Sequence, residues 1–374
     1  MREDDKKVSN GVKTLFVTSF HPHISRNILE TNVLRLIAGR RDIRIVILVP
    51  DYKLDYFREH FAASNVIIEG VAQYRAPRTL TGLVFKRLGR TLFYTGTTVG
   101  KRRYKFYWDR KLGYMLAAAT AGFLGRSFLV QRLVRRMDLV FSPSGLFFPL
   151  IERYCPVLVF STDVHNDDDV ALMQDARRRG IPIVGMWRSW DNPTQQLLRV
   201  FPDLLLLGSE ELSRETAALH RFPEARMLIT GHPHYDRYPE GPIRSREGFS
   251  AQWGLNPQKK IILYAAGGNK IIRENDIDQH VIETLGTLEA NVIVRYPPGE
   301  DIRLVDFTRP SNVAIDMPGF RFAAHRGEFE IRREDDDNLI DELYWSDVVI
   351  SGPTSILIDG AFLDKPVIAV DFYP

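Results

Sequence analysis

Four side chains that can take a proton stand just past segments predicted as strands. His21 and His23 follow residues 13–20, His165 follows 157–162, and Asp191 follows 181–187. An imidazole with its ordinary pKa of about 6.5 is neutral enough at pH 7 to deprotonate a hydroxyl, and an ionised carboxylate can do the same, so all four are candidate general bases. Beside Asp191 stand Trp190 and Asn192; a carboxylate and an amide after a buried strand can grip substrate hydroxyls. A second place for chemistry is the turn Ser351-Gly352-Pro353-Thr354-Ser355. It lies between the apolar run 348–350 and a segment with Ile356, Leu357, Gly360, Ala361 and Leu363 at helical spacing. A strand that ends in small residues and re-enters as a helix offers N–H groups and hydroxyls that suit a phosphate. Gly267 and Gly268, after the run 261–266, have no Cβ to keep the backbone away from such a group.

The elements that must position these residues alternate. Residues 13–20, 43–49 and 66–71 read as strands, with helices over 28–38 and 53–63. Alternation of this kind predicts a doubly wound parallel sheet, whose ligands sit at the carboxyl ends of the strands. The pattern resumes with strands over 138–142, 157–162, 181–187 and 203–207, and a helix over 167–179. Residues 238–260 are rich in Pro, Gly and charge and read as a linker. Beyond it come strands over 261–266, 291–295, 312–316, 348–350 and 367–370, with helices over 278–288 and 335–344. The expected organisation is α/β: a first Rossmann-like doubly wound domain over 1–237, the linker, and a second over 261–374.

Of 374 residues, 44% are hydrophobic and 26% charged, which excludes a disordered chain. A single cysteine, Cys155, excludes an internal disulfide framework and fits a reducing cytoplasm. Residues 1–13 have no apolar core of a signal peptide, and the longest uncharged run, 112–125, is too short to span a bilayer. The net charge of +3 is unevenly spread. Residues 75–136 carry fifteen Lys or Arg against one acid, Asp109, a local +14 that leaves −11 elsewhere. There the strand pattern stops and aromatics interleave with the basic residues, which predicts a helical insert facing an anionic surface such as a membrane. Single-strand nucleic-acid binders share that composition.

The residues 341–374 resemble the donor half of transferases with the two-domain GT-B fold. The likeness is to the lipid-linked N-acetylglucosaminyltransferases and, in wording, to the CDP-glycerol glycerophosphotransferases of envelope polysaccharide synthesis. The first group places a carboxylate seven residues before the proline of the last strand, on the nucleotide ribose; Asp359 holds that place before Pro366. The second group has a hydroxyl-bearing turn for the donor phosphates and then an "LDKPII" run, matched here by 351–355 and by residues 363–368. Ser189-Trp190-Asp191-Asn192 resembles the "SWDN" turn of related envelope transferases. Thr230-Gly231, Pro233 and Asp236 resemble a "TG-x-PR-x-D" turn at the domain boundary, with His234 where Arg is usual. Arg295 and Pro297 fit an "R-x-HP" motif that lacks its His.

The resemblance implies a cytoplasmic transferase that can sit peripherally at the inner face of the plasma membrane. It would move a sugar or glycerol-phosphate unit from a nucleotide-activated donor to a polysaccharide or lipid-linked acceptor. The first domain would bind the acceptor through Trp190, Asn192 and His234 and supply the base. The second would bind the donor through Gly267, Gly268, Arg295, Gly352, Thr354, Ser355 and Asp359. Neither metal nor other cofactor is implied; the acidic runs 167–169 and 334–337 sit where helices begin, which suits the helix dipole. Family members continue past Pro374, so the C-terminus is expected to be truncated. Two alternatives accompany this reading. One is a non-hydrolysing UDP-N-acetylglucosamine 2-epimerase-like enzyme, echoed faintly at Ile272-Arg273-Glu274-Asn275. The other is a non-catalytic nucleic-acid-binding protein using the insert.

Overall fold

The computed structural model describes residues 11–72, 80–109, 112–143, 145–269, 276–322, 328–352 and 354–370. The echo at 272–275, Pro353, the beginning of the insert at Arg75 and the last four residues lie outside them, as do the side chains of Trp108 and Asp109. The chain forms two units, one ending at Pro233 and the other beginning at His234.

The first unit is built on seven strands: β1 Lys13–Thr18, β2 Ile43–Pro50, β3 Val66–Val71, β4 Leu158–Ser161, β5 Ile183–Met186, β6 Leu204–Leu207 and β7 Met227–Ile229. They pair in parallel in the order β3-β2-β1-β4-β5-β6-β7. β2 shows why this sequence becomes a central strand. Val46 and Leu48 pack into the core on one face, while Ile45, Ile47 and Val49 pack into the core on the other. A period of two with both faces apolar fits only a strand covered on both sides. Each such side chain contributes about 1.5–3 kcal/mol by leaving water.

Helices α1 Asn32–Ala38 and α2 Leu54–Phe61 serve the first two crossovers. The predicted helix over 28–38 is split by a π-turn at Ser25–Leu29, after which Thr31 caps α1 through its hydroxyl. Between β3 and β4 run α3 Leu80–Thr91, α4 Gly96–Asp109, α5 Leu112–Leu124, α6 Phe128–Phe141 and α7 Phe148–Tyr154. The basic insert is therefore helical over its described residues, around a small core of Phe85, Leu92, Phe93, Val134 and Leu197. The strand expected over 138–142 is instead the end of α6. Asp138 is buried there, pairing with Arg199 at 2.7 Å and accepting from the Ser142 hydroxyl, contacts that belong to a helix end. Helices α8 Asp167–Arg178 and α9 Glu210–His220 complete the unit. Asn166 caps α8, accepting from the Asp168 N–H at 2.9 Å.

The second unit carries β8 Ile261–Ala265, β9 Asn291–Arg295, β10 Val313–Asp316, the two-residue strands β11 Phe320–Arg321 and β12 Phe329–Glu330, then β13 Val348–Ser351 and β14 Val367–Ala369. Five of them form a parallel sheet in the order β10-β9-β8-β13-β14, and β11 pairs antiparallel with β12. β8 repeats the logic of β2: Ile262 and Tyr264 enter one core, Ile261, Leu263 and Ala265 the other. Around this sheet stand α10 Arg246–Trp253, α11 Ile277–Gly286, α12 Arg333–Trp345 and α13 Ile356–Phe362. The stretch expected as a linker, 238–260, is folded into this unit. Tyr238 and Phe249 are buried in its core beside Ile261 and Leu263, and Ser245 caps α10.

Candidate functional site

In each sheet the strand order reverses once, between β1 and β4 in the first and between β8 and β13 in the second. Loops leaving the carboxyl ends of strands on either side of such a point splay apart and leave a crevice. In the first unit that crevice is a cavity of about 940 Å³. Its floor comes from loops after β1 (His21), β4 (Asp163, His165, Asn166) and β5 (Arg188, Asn192). Its wall comes from the insert: Arg87 and Arg90 of α3, Lys101, Arg102 and Lys105 of α4, and Gly113, Tyr114 and Ala117 of α5. Six of the lining residues are Arg or Lys, against the acids Asp163 and Asp167.

Several of these charges are already engaged. Arg188 Nη1 donates to Asp163 Oδ2 at 3.0 Å, Arg90 Nε to Gln196 Oε1 at 3.1 Å, and Lys101 Nζ to Gln195 Oε1 at 3.2 Å. Arg102, 8% exposed, gives Nη2 to the carbonyls of Arg90, Thr91 and Phe93 at 2.8, 2.9 and 3.2 Å. Its Nη1 is buried without a hydrogen-bond partner, and burial lowers its pKa. A buried guanidinium N–H left unsatisfied is costly unless a ligand supplies the acceptor. The lining therefore favours an anion.

The two histidines of the cavity differ in how they are held. The His23 backbone N–H donates to His21 Nδ1 at 3.2 Å, so neutral His21 carries its proton on Nε2 and presents a donor. His165 packs edge-on against Trp187, ring centres 4.5 Å apart, and its Nε2 is buried without a partner. Burial, with Arg188 and the neighbouring imidazole, holds the His21 pKa well below its usual range. Burial, followed by His220 and Arg188, does the same for His165. Both rings are neutral at pH 7.

The other sequence-predicted residues of this unit lie around the cavity. His23 stacks on His21, ring centres 5.0 Å apart, with its pKa lowered to about 3 by burial and Arg188. Asn192 is buried and lines the cavity, and its Oδ1 accepts from the Ser189 N–H at 2.9 Å, so the amide also shapes its own loop. Asp191 accepts from the Gln195 side chain, and Trp190 is half exposed. His234 belongs to the second unit, buried against Tyr235. The cavity's basic residues could be read from sequence only as a charge excess. Nothing in the pattern said that α3 and α4 lie over the strand ends.

In the second unit, Gly267, Gly268, Arg295, Gly352, Thr354 and Ser355 end or follow the adjacent strands β9, β8 and β13. The structure thus gathers them at one edge, but most of their polar groups have internal partners. Asp278 Oδ1 accepts from the Gly267 N–H at 2.8 Å and Oδ2 from the Gly268 N–H at 3.0 Å. Arg295 is buried, donating through Nη1 to Asp316 at 2.5 Å and Glu342 at 2.9 Å, and through Nη2 to the Asp335 carbonyl at 2.8 Å. The arginine expected on a phosphate is engaged in a buried ion-pair network. Ser351 donates to the Ala265 carbonyl at 2.9 Å, and the Thr354 hydroxyl stands 2.9 Å from that of Ser351. Ser355 is the N-cap of the seven-residue α13, and its side chain makes no capping hydrogen bond. Gly352 has open space at its missing Cβ, and Asp359 is buried in the first turn of α13.

No protein-family model matches the sequence, and no curated protein is significantly similar to it. Solved structures are similar in fold. The UDP-GlcNAc 2-epimerase of Neisseria meningitidis, bound to UDP-GlcNAc, superposes with a TM-score of 0.56 at 11% identity, over 97% of this chain and 83% of that one. The UDP-N-acetylglucosamine 2-epimerase of Rickettsia bellii gives 0.52 at 14% identity, covering 97% and 80%. A putative enzyme of the same name from Listeria monocytogenes gives 0.52 at 11%, also covering 97% and 80%. The two parallel sheets of seven and five strands are the two Rossmann-like units of the GT-B fold. At these identities the likeness is one of fold, and it does not single out the glycerophosphotransferases.

Proposed function

We propose that this chain is a GT-B enzyme acting on a nucleotide-activated sugar, and that it transfers the sugar, or a glycerol-phosphate unit, to an anionic acceptor held in the first unit. The observation that carries this reading is the basic cavity at the sheet's reversal point, where Arg102 Nη1 and His165 Nε2 stand without partners. His165 is the base: its Nε2 has no hydrogen-bond partner and, with the ring proton on Nδ1, can accept one, whereas His21 presents an N–H that positions the acceptor hydroxyl. Both rings are weak bases because burial, reinforced by the Arg188 charge, lowers their pKa. An acceptor phosphate beside Arg188 offsets that charge and raises the base strength of His165 once substrate is in place. The donor nucleotide belongs to the second unit, with Asp359 on the ribose and the turns after β8 and β13 near the phosphates. The polysaccharide or lipid-linked nature of the acceptor follows from the turn motifs of the sequence.

A second reading is favoured by the fold neighbours, whose names are those of UDP-N-acetylglucosamine 2-epimerases. Such an enzyme inverts C2 of the sugar with no acceptor present. The deciding experiment is a thermal-shift screen against UDP, GDP, CDP and their sugar or glycerol conjugates, followed by NMR of the best donor incubated with the protein alone. Stabilisation by a nucleotide that Asp359→Ala abolishes supports the donor assignment. An unchanged response in that variant removes it. Inversion at C2 without acceptor selects the epimerase.

A further inference from the structure

Helices α5 and α6 show water an apolar surface that the fold does not use. Of the thirteen residues of α5 only Ala121 is buried, and Phe123 is 90% exposed. Leu112, Met115 and Leu116 share its outer side, with spacings of three and four residues that place them on one face. In α6, Leu129, Leu133 and Val140 are exposed at matching spacing, opposite the buried Gln131, Val134 and Asp138. Scattered exposed leucines need no explanation; two consecutive helices with continuous apolar faces mark an interaction surface.

We propose that this surface lies in the interface of a bilayer bearing anionic headgroups. The proposal stands apart from the enzymatic reading. Charge selects the occupant. Exposed Arg132 and Arg136 interleave with the leucines of α6, Lys101, Arg103 and Lys105 are exposed on α4, and Asp109 is the one acid between residues 80 and 136. Anionic headgroups complement this pattern, with the apolar side chains entering the acyl boundary below them. A second copy of the chain would bring a like-charged face against it, which electrostatics opposes. Geometry selects lying over spanning. Among the described residues no single helix is long and apolar enough to cross a membrane, and α5 meets α6 at 109°. The corner is fixed at Gly125, where a Cβ would stand 2.2 Å from the Leu92 carbonyl oxygen. The inner face of α5 (Gly113, Tyr114, Ala117) lines the basic cavity. One helix thus has a charged pocket on one side and the bilayer on the other, where an anionic lipid headgroup would have the shortest route in.

The test is co-sedimentation of the full chain with vesicles of phosphatidylcholine alone and of equimolar phosphatidylcholine and phosphatidylglycerol. Binding to the second but not the first is expected. Arg132→Gln with Arg136→Gln should weaken it about thirtyfold, given the usual gain per basic residue at an anionic leaflet. Phe123→Glu with Leu133→Glu should abolish it at an unchanged melting temperature, since both side chains are exposed. In a Phe123→Trp variant, quenching by brominated lipid should report insertion independently of pelleting. Absence of phosphatidylglycerol-dependent binding overturns the proposal, as does equal binding by the glutamate variant or an unquenched tryptophan. A dimer in light scattering that Phe123→Glu dissolves would assign the surface to a second copy, and displacement from vesicles by single-stranded oligonucleotide would assign it to nucleic acid; either result overturns it.

Discussion

Arg188 Nη1 donates to Asp163 Oδ2 at 3.0 Å, joining the loop after β5 to the loop after β4 at the floor of the cavity. Arg188 also contributes to the low pKa of His21, His23 and His165. Replacing it with Met should have two effects of known sign. Removing a cation and uncovering the Asp163 carboxylate both favour imidazolium, so His21 and His165 should titrate at higher pH, read from their ring C–H resonances. Leaving a buried carboxylate unpaired should lower stability by about 3 kcal/mol in urea unfolding. Midpoints that stay where they are would mean that burial alone sets these rings.

Arg295 gives a sharper contrast. Its guanidinium meets Asp316, Glu342 and the Asp335 carbonyl, and Glu342 is fully buried. Burial raises the Glu342 pKa well above its usual range while Arg295 opposes that rise. Arg295→Met strands two carboxyl groups and should cost about 3–5 kcal/mol, read as the midpoint of chemical unfolding. Were Arg295 a surface ligand for phosphate, the same change would leave stability intact and weaken nucleotide binding alone.

The α/β class and both parallel sheets were legible because central strands such as β2 and β8 are apolar at consecutive positions, a pattern few other elements produce. Errors came where composition imitates another element. Asp138-Leu139-Val140-Phe141 reads as a buried strand, yet Val140 and Phe141 face water at the end of a helix, and the buried member is the charged one. Residues 238–260 have the composition of a linker, but Tyr238 and Phe249 anchor them in a core. In the site, His21, His165 and Asn192 were accessible to reasoning because they follow strands. Arg87, Arg90, Lys101 and Arg102 were not, because their place depends on how α3 and α4 fold back over the sheet edge, a tertiary fact with no local signal.

His220 gives the molecule an acid-sensitive joint. Its Nδ1 accepts from the Leu198 N–H at 3.2 Å and its Nε2 lies 2.8 Å from the Pro193 carbonyl, so the neutral ring satisfies both. Burial lowers its pKa to about 3. The unfolded chain, with a histidine pKa of about 6.5, binds the proton first. The stabilisation is therefore complete above that value and is lost as pH falls toward the folded pKa, by about 1.4 kcal/mol per pH unit. His220→Gln should be less stable at pH 7, yet its stability should fall less steeply than wild type between about pH 6 and pH 4 by that increment. Parallel slopes in urea titrations would show that the ring is not neutral in the folded state.

The loop after β8 makes the last prediction, because Asp278 holds it by both carboxylate oxygens and also accepts from the Tyr264 hydroxyl at 2.6 Å. Gly268 has φ +77°, and a Cβ there would stand 2.7 Å from Pro297 Cγ. Gly268→Ala should therefore lose about 1–2 kcal/mol through backbone strain and contact. Asp278→Asn turns one acceptor into an amide NH₂ facing a donor and should cost about 2 kcal/mol. Its effect on ligand binding has the opposite sign. A carboxylate beside the two glycine amides repels a diphosphate, so neutralising it should leave the nucleotide-induced thermal shift equal or larger although the starting melting temperature is lower. A shift that shrinks with the loss of Asp278 would mean the loop must be held by that carboxylate to receive its ligand.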